Sequence, residues 1–345
     1  MNDQILQKKP SKRKGWLLLG AIVLAIAAYT AGWLWASSKL VELVEVQKQN
    51  LAQQGRTLKC DGQSVRGYPF RIGLYCDTLV YADPINAVTF SGGNLRSAAQ
   101  IYRPGHVIAE LDGPADVTAP NLAPLTFDWE NLRSSSRLTT TGFEQLSIEG
   151  KKIAVAANDG GQLTPLAGIE YAIVHARPAP DGEGNPTSAL QLAAKVDGWD
   201  IEDWSDTPEG EIEAADIVFN ATLKDGLTVI TSGRDLIDWL RENGGEAVVE
   251  QLTLSTRSGG RFALSGPLSI SQSGRVSGEV TVSVSSPDKL IIYAGKVFPP
   301  IEAMLQDTMG LTGMAGEVEN LKLTLVDGKV FAGFFPLGEI PPLFR

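Results

Sequence analysis

The chain has 345 residues, a formal net charge of -10 at pH 7 and 43% hydrophobic residues. Nucleic acids bind to clusters of lysines and arginines, and an acidic chain offers few of these. The charge therefore disfavours nucleic acid as a partner. The hydrophobic content excludes a disordered chain, and the length allows one large domain or two medium domains with a true core.

The N-terminal region contains an uncharged stretch of membrane-spanning length. Residues 16–36 read WLLLGAIVLAIAAYTAGWLWA. As a helix with a rise of about 1.5 Å per residue this stretch extends roughly 31 Å, the thickness of the hydrocarbon core of a bilayer. Trp16, Trp33 and Trp35 stand near its ends, where tryptophan favours the membrane interface. The sequence predicts a transmembrane helix over 16–36.

The charges on either side of this stretch predict its orientation. The basic residues before it are Lys8, Lys9, Lys12, Arg13 and Lys14. Residues 37–45 carry one lysine and two glutamates, so the positive-inside rule predicts that 1–15 form a cytoplasmic tail. The chain is then a single-pass inner-membrane protein with most of its residues in the periplasm.

A cleaved signal peptide is the alternative interpretation of the N-terminus. Small residues at 27–32, and at Ala36, Ser37 and Ser38, are typical of a cleavage site. The apolar region is longer than that of an ordinary signal peptide, and its flanking tryptophans favour a permanent anchor.

A short juxtamembrane helix is predicted over 37–55. Leu40, Leu43, Val44 and Leu51 recur at a spacing that gives a helix one apolar side. Gly55 predicts the end of the helix, since glycine is the usual residue just beyond a helix C-terminus.

The stretch RGYPFRIGLYC, residues 66–76, raises the question of what its cysteine does. Cys60 and Cys76 are the two cysteines of the chain. In an oxidising compartment two cysteines favour a disulfide, which here closes a predicted hairpin with its turn at 67–69. Two buried thiols are the alternative, and a catalytic thiol is disfavoured because Cys76 follows the apolar alternation of its strand.

The rest of the chain, residues 56–345, predicts a β-rich periplasmic domain. Asp-Gly pairs that suit tight hairpin turns occur at 61–62, 112–113, 159–160, 181–182, 197–198, 225–226 and 327–328. A strand-turn-strand pattern recurs at 268–276 and again at 323–330. We therefore predict a mainly β fold, with large antiparallel meander sheets built from repeated hairpins.

About three short helices interrupt these strands. The apolar spacing predicts one over 233–243, ended by two glycines. Ser286 and Pro287 are a cap and a first-turn proline, which predicts a helix from there to residue 298. A third helix is predicted over 301–309. The loop at 178–187 marks a candidate boundary between two parts of the domain.

Four segments together resemble a known family. They are GYPFRI after an N-terminal anchor, LIDWLRENGG, LSGPLSISQSGRVSG and LVDGKVFAGFFPLGEIPPLF. The chain is similar to the alphaproteobacterial membrane-anchored family known as domain of unknown function 2125. The resemblance covers nearly the whole predicted periplasmic domain, and it implies a location and an architecture but no chemistry.

Residues of the kinds used in catalysis or metal binding are sparse. His106 and His175, the two histidines, stand in separate strands with no second ligand at a metal-binding spacing. Carboxylates gather around Trp199 and Trp204. These acidic residues are Asp197, Asp200, Glu202, Asp203, Asp206, Glu209, Glu211 and Glu213. Their spacing fits no calcium loop, so a solvated surface is favoured, and we predict no catalytic residue, no cofactor and no metal.

The functional hypothesis rests on the alternation of apolar residues in the strands. Alternation places Phe262, Leu264, Val280, Val282 and Val284 on one face of a sheet, and that face needs a cover. Two sheets packed face to face would supply it. The other interpretation is an elongated groove lined by these five residues and filled by an acyl chain.

We therefore expect a binding protein rather than an enzyme. The leading hypothesis is that it holds a lipid or another hydrophobic ligand in envelope homeostasis, by analogy of architecture with the AsmA-like proteins. The alternative is a non-catalytic envelope scaffold or assembly factor, whose sheet edge or acidic surface binds a protein partner.

Overall fold

A computed structural model describes residues 12–120, 122–139, 142–201, 214–232, 236–287, 289–290 and 317–344. Within these ranges the chain forms an N-terminal helix, two short helices and twenty strands that belong to one antiparallel sheet. The mainly β fold, its antiparallel hairpins and the long apolar helix that the sequence predicted are all confirmed. All twenty strands belong to one sheet, so the strands are not divided between two separate sheets.

The N-terminal helix α1 is continuous over Lys12–Gln53. It is long and apolar enough to cross a membrane, by length and composition. The predicted transmembrane and juxtamembrane helices are therefore two parts of one helix, with no break at Ser37 or Ser38. Its end follows the prediction, because Gly55 has a φ of 75° and the amide of Arg56 donates to the carbonyl of Leu51.

One side of α1 packs against the rest of the chain. The side chains at positions 30, 33, 37, 40, 44, 48 and 51 are half-buried, at the spacing of one helix face. Leu40, Val44 and Leu51 lie on this side as predicted. Leu43 does not, since 62% of it is exposed. By its spacing Leu43 lies at the edge of the apolar side of the helix, and only the packing shows that it faces outward.

The helix meets the Gly-Tyr-Pro-Phe turn at Tyr68. The Tyr68 hydroxyl lies 2.8 Å from the Thr30 Oγ1 atom. The ring of Trp33 stands edge-on to the Tyr68 ring with centroids 5.6 Å apart, and the Tyr29 ring lies 6.4 Å from it. Edge-on aromatic pairs are favourable because the positive ring edge meets the negative face. The turn is therefore docked onto the helix within the stretch predicted to span the membrane.

The strands of the first half are short except for the last three. Their bounds are β1 Thr57–Asp61, β2 Ser64–Arg66, β3 Arg71–Cys76, β4 Thr78–Asp83, β5 Val88–Gly92, β6 Leu95–Gln100, β7 Arg103–Leu111, β8 Ala115–Thr118, β9 Leu125–Asp128, β10 Asn131–Thr139, β11 Gly142–Asp159, β12 Gln162–Pro180 and β13 Pro186–Ile201. The turn at 181–185 joins β12 to β13, and these two strands pair along most of their length. The predicted boundary at 178–187 is thus a hairpin turn within one sheet.

The second half continues the sheet and contains the two short helices. Its elements are β14 Ala215–Leu223, α2 Gly226–Ser232, α3 Leu236–Asn243, β15 Gly245–Thr256, β16 Arg261–Ile270, β17 Val276–Ser285, β18 Val318–Val326, β19 Lys329–Ala332 and β20 Phe335–Glu339. From β10 to β20 each strand pairs with the next in the chain. The hairpins predicted at 268–276 and 323–330 are confirmed as β16–β17 and β18–β19.

The first ten strands form two branches that meet at the long strand β11. One branch runs β2, β3, β6, β7 and β10, and joins β11 through Gly142–Lys151. The other runs β1, β4, β5, β8 and β9, and joins the same edge of β11 at 154–157. Lys152, at the point between them, has a φ of 47°. Both branches pair with the same edge of β11, so they diverge from this strand.

The disulfide joins these two branches near their free ends. Cys60 in β1 is bonded to Cys76 in β3, with their Cα atoms 5.1 Å apart. The predicted pairing of the cysteines is therefore confirmed. The predicted hairpin is wrong, because β1 pairs with β4 and β3 pairs with β2 and β6. The disulfide fastens one branch to the other rather than one hairpin strand to its neighbour.

The Asp-Gly pairs do not all form hairpin turns. Those at 159–160, 181–182 and 327–328 do, and Gly160 and Gly328 have positive φ there. Gly198 has a φ of 63° within β13, where the pairing with β14 shifts register. Asp225 and Gly226 lead into α2. A dipeptide that tolerates positive φ suits bulges and helix starts as well as turns, which explains the pairs at 197–198 and 225–226. The pairs at 61–62 and 112–113 connect strands that do not pair with each other.

The structure confirms one predicted helix and the start of a second. α3 confirms the helix predicted over 233–243, and Gly244 follows it with a φ of 70°. Residues 287, 289 and 290 are helical, so the predicted start at Ser286 and Pro287 agrees with the structure. The rest of that helix, and the helix predicted over 301–309, lie outside the described residues. α2 was not predicted, since its Thr, Val and Ile residues favour strands.

Asp83 fastens the end of α1 to the sheet. Its buried carboxylate lies 3.0 Å from the Arg56 Nε atom and accepts hydrogen bonds from the backbone amides of Ile85 and Asn86. The Asn86 side-chain amide also donates to it, at 2.9 Å. These hydrogen bonds, led by that of the Asn86 side chain, and the charge of Arg56 hold the pKa of Asp83 below its ordinary value of 3.8.

This lowered pKa predicts how the fastening responds to pH. A carboxyl whose pKa is lower in the folded state stabilises the fold above its ordinary pKa, and this stabilisation is lost as the pH falls through the folded value. We expect Asp83→Asn to lower the thermal midpoint at neutral pH, with the gap to the wild type closing below pH 3.8. Thermal melts over a pH series measure this. A gap that stays constant down to the most acidic samples would contradict the assignment.

Candidate functional site

One face of the sheet is apolar across almost its whole width. Residues directly paired in neighbouring strands point to the same face, so a row of partners traces that face from strand to strand. The central row passes through Ser97, Ala109, Ser134, Ile148, Val174, Ala194, Phe219, Leu252, Leu264, Val282 and Leu321. We call the face that carries this row the apolar face.

A second row beside the first has the same character. It passes through Leu95, Leu111, Leu132, Gly150, Ala172, Val196, Ile217, Leu254, Phe262, Val284 and Val318. Each row crosses eleven strands, from β6 to β18. With neighbouring strands about 4.8 Å apart, the rows extend roughly 50 Å. The two rows therefore form a mainly hydrophobic strip, in which Ser97 and Ser134 are the polar members.

The two branches turn their apolar faces toward each other. Cys60 and Cys76 both belong to this face, because Cys60 pairs with Leu79 and Cys76 with Leu95. A covalent bond between their sulfur atoms requires the two faces to be in contact there. The sheet is thus folded over at its N-terminal side, and the disulfide closes the fold.

The opposite end of the apolar face is packed by the chain itself. Val276, Val280, Val282, Leu325 and Val330 are buried there in one core cluster. Partly buried residues pack around them. These are Phe262, Leu264, Leu268, Val284, Leu323, Leu337 and Ile340. This end of the face is a hydrophobic core in its own right.

All five residues predicted to line a groove lie in or against this cluster. Val280 and Val282 are buried, and Phe262, Leu264 and Val284 are half-buried. The structure brings them together on one face, as their alternation indicated. Their role as groove-lining residues remains a prediction, and the packing around Val280 and Val282 leaves them the least accessible of the five.

The accessible part of the apolar face lies between its two ends. Ile148 in β11 and Val174 in β12 are direct partners, with 41% and 44% of their surfaces exposed. Leu146 and Ala194, next to them on the same face, are half-buried. This pair was not among the predicted residues, although the alternation in Leu146-Ser147-Ile148 was a signal for its first member.

The other face of the sheet is polar and carries ion pairs. Arg133 donates to the Glu149 carboxylate at 2.9 Å through Nε, across β10 and β11. Arg96 donates to Asp112 at 2.5 and 2.6 Å, and these bonds lower the pKa of the Asp112 carboxyl. Charges on one face and aliphatic side chains on the other are typical of a sheet with one solvated side.

Both histidines lie on this polar face. The His106 Nε2 atom is 3.0 Å from the Ser135 Oγ atom, and the His175 Nδ1 atom is 2.7 Å from the Ser147 Oγ atom. In the described part of the chain, no group of three or more His, Cys, Asp or Glu residues could hold a metal ion. The geometry gives each histidine a neutral serine partner.

The predicted acidic cluster is only partly described. Asp197 lies 2.6 Å from the Lys195 Nζ atom and raises the pKa of that lysine. Asp200 is exposed in β13, and Trp199 pairs with Ile169 and Ala215 on the apolar face. Trp204 and the acidic residues Glu202, Asp203, Asp206, Glu209, Glu211 and Glu213 lie outside the described residues.

Comparison with known families agrees with this architecture. A family model described as "Uncharacterized protein conserved in bacteria (DUF2125)" matches residues 33–341. The chain belongs to the DUF2125 family. The match begins at residue 33 within α1 and ends after β20, so it covers the C-terminal part of α1 and the whole sheet. No curated protein and no solved structure matches the chain.

Proposed function

We propose that this DUF2125 protein is anchored in the inner membrane and holds a lipid, through its acyl chains, on the apolar face of a periplasmic domain. The observation that carries the proposal is the exposed pair Ile148–Val174 in a hydrophobic strip about 50 Å long. A protein that leaves the middle of such a strip accessible to water loses hydrophobic stabilisation there unless a ligand covers it. The role is binding, in envelope homeostasis, and not catalysis.

The dimensions of the strip suit acyl chains. A bilayer core of about 30 Å holds two opposed leaflets, so one acyl chain occupies about 15 Å of its thickness. The strip is several times longer than that. Its side chains are aliphatic, aromatic or small, and neither row contains a charged group that an acyl chain would have to desolvate.

The position of the strip relative to α1 supports a lipid source in the membrane. Both rows begin at β6, which pairs with β3. The turn that precedes β3 is docked on α1 through Tyr68. The strip therefore starts beside the membrane helix and leads away from it across the sheet.

Three features support the inner-membrane anchor and the periplasmic domain. Basic residues precede the apolar stretch, and a disulfide is typical of an oxidising compartment. The packed side of α1 runs without interruption from Thr30 to Leu51, across the small residues that resemble a cleavage site. Cleavage there would remove contacts that the domain makes, which favours a retained helix. A reporter active only outside the cytoplasm, fused after Arg345, tests the orientation: activity supports it and inactivity contradicts it.

Ligand binding is tested with variants matched for residue type and exposure on the two faces. Ile148→Asn and Val174→Asn place a polar amide on the accessible part of the apolar face. Desolvating an unpaired amide against an acyl chain costs about 1–3 kcal/mol, which is roughly tenfold or more in affinity. Native mass spectrometry of the full-length protein, purified from membranes, measures the lipid-bound fraction. We expect it to fall sharply in both variants.

The controls are Ile108→Asn and Val248→Asn on the polar face. Ile108 is 43% exposed and Val248 is 47% exposed, close to the values of their counterparts. Ile108 pairs with Ser135, and Val248 pairs with Thr222 and Pro267, which assigns both to the polar face. These variants should keep the wild-type lipid content. Equal occupancy in all four variants, or wild-type protein that carries no lipid, would overturn the proposal. A single stoichiometric protein partner in envelope crosslinking would instead favour the scaffold role.

A further inference from the structure

We propose that the turn at residues 67–70 and the neighbouring turn at 101–102 insert into the interfacial layer of the bilayer that holds α1. We call these two turns the membrane-facing tip. The proposal rests on the anchoring part of the proposed function, because it requires α1 to remain in the membrane. It is independent of whether the apolar face binds a lipid.

The depth of the contact on α1 is the first argument. If the helix spans the bilayer from Trp16 to Ala36, Tyr29 lies seven residues before the outer end and Trp33 three. At about 1.5 Å per residue they lie roughly 10 Å and 5 Å below that end. Tyr68 contacts both of these residues. A turn that reaches this far down the helix cannot remain in bulk water while the helix is in lipid.

The helix also satisfies the backbone of the turn. The Tyr29 hydroxyl donates to the carbonyl of Pro69, and the Trp33 indole Nε1 donates to the carbonyl of Arg71 at 2.9 Å. A backbone carbonyl without a partner at membrane depth costs several kcal/mol, so irregular backbone is tolerated there only when protein groups bind it. Two side chains from the apolar part of α1 meet this requirement.

Two further carbonyls of the turn accept hydrogen bonds from backbone amides. The carbonyl of Gly67 accepts from the amide of Arg71 at 2.9 Å, and the carbonyl of Phe70 accepts from the amide of Ile101 at 3.2 Å. The second of these bonds joins the two turns of the tip. The carbonyls of Gly67, Pro69, Phe70 and Arg71 are thus all paired inside the protein. A turn in water would not need these partners, because water would bind its carbonyls.

The side chains of the tip suit the bilayer interface. Phe70 and Tyr102 are 69% and 70% exposed, although aromatic side chains of this size usually pack against protein. Three exposed arginines flank them, and these are Arg66, Arg71 and Arg103. Aromatic rings at headgroup depth and cations near lipid phosphates are the composition that interfacial segments favour.

The test uses single probes on the full-length protein. Because both native cysteines are in the disulfide, Phe70→Cys or Tyr102→Cys adds the sole free thiol, which can carry an environment-sensitive fluorophore. Phe334→Cys is the matched control, since Phe334 is 98% exposed in the turn between β19 and β20. The proteins are reconstituted in phosphatidylcholine and phosphatidylglycerol vesicles that contain a nitroxide-labelled lipid with its quencher near the headgroup.

We expect quenching at positions 70 and 102 to be about threefold stronger than at 334, because only the tip lies at interfacial depth. Flotation of the vesicles is measured on the same samples. Proteins that float with the vesicles but show equal, weak quenching at all three positions overturn the proposal and leave the anchor intact. Proteins that do not float overturn the anchor itself. Whether the apolar face holds a lipid affects neither the quenching result nor the flotation result.

Discussion

Replacing both Cys60 and Cys76 by alanine is expected to lower the free energy of unfolding by about 3 kcal/mol. The disulfide closes a loop with a sequence separation of 16 residues, for which loop-closure entropy predicts a stabilisation of this size. Its position adds a second reason, because it joins the two branches near their free ends and holds their apolar faces together. Urea unfolding of the full-length protein in mild detergent, followed by tryptophan fluorescence, measures the change.

A reducing agent supplies the control for this experiment. Reduction should bring the unfolding midpoint of the wild type down to that of the double variant, while the double variant itself should not respond. The opposite pattern, with the wild type indifferent to reduction and as stable as the variant, would mean that the disulfide adds nothing to the stability of the sheet.

Gly278→Ala is the second substitution from which we expect a large loss, about 3 kcal/mol in the free energy of unfolding. Gly278 has a φ of 150°, a conformation that residues with a Cβ atom avoid, and strain of this kind costs of order 1–3 kcal/mol. A Cβ atom at this position would also lie 2.2 Å from the carbonyl oxygen of Pro267 in the neighbouring strand. That oxygen belongs to the backbone, so β16 and β17 must move apart.

Two other glycines separate these two causes. Gly259 has a φ of 97°, but an added Cβ would meet nothing within 4 Å, so Gly259→Ala should show the strain alone, about 1–2 kcal/mol. Gly168 has neither a positive φ nor a neighbour in reach, so Gly168→Ala should be neutral or slightly stabilising. Equal losses for all three substitutions, in the same urea titration, would contradict this account of Gly278.

The local elements were largely predictable because their signals are local. The period-two alternation of Val280, Val282 and Val284 gives a strand one apolar face whatever its neighbours are. The uncharged stretch at 16–36 and the glycine at 55 likewise describe a helix and its end. α2 was missed because its β-branched residues favour strands, and its burial against β13 overrides that preference.

The sequence predicted that the candidate site is an apolar face, but it did not predict which part of that face is accessible. Alternation identified Phe262 and Val282 as residues of an apolar face, and they are. It could not show that this end of the face is packed by residues such as Leu337, near the end of the chain. The accessible part, at Ile148 and Val174, lies between the two ends of the face, and its exposure distinguishes it from the packed end.

The sequence by itself determined that an apolar helix precedes an acidic, hairpin-rich chain, that its strands have one apolar side, and that its two cysteines pair. These follow from composition, period and spacing. Only the tertiary structure decided that β1 pairs with β4, that the disulfide joins two branches, and that Tyr68 is docked on α1. The physical reason is that pairing between strands depends on contacts between distant residues, and many such pairings satisfy the same local alternation.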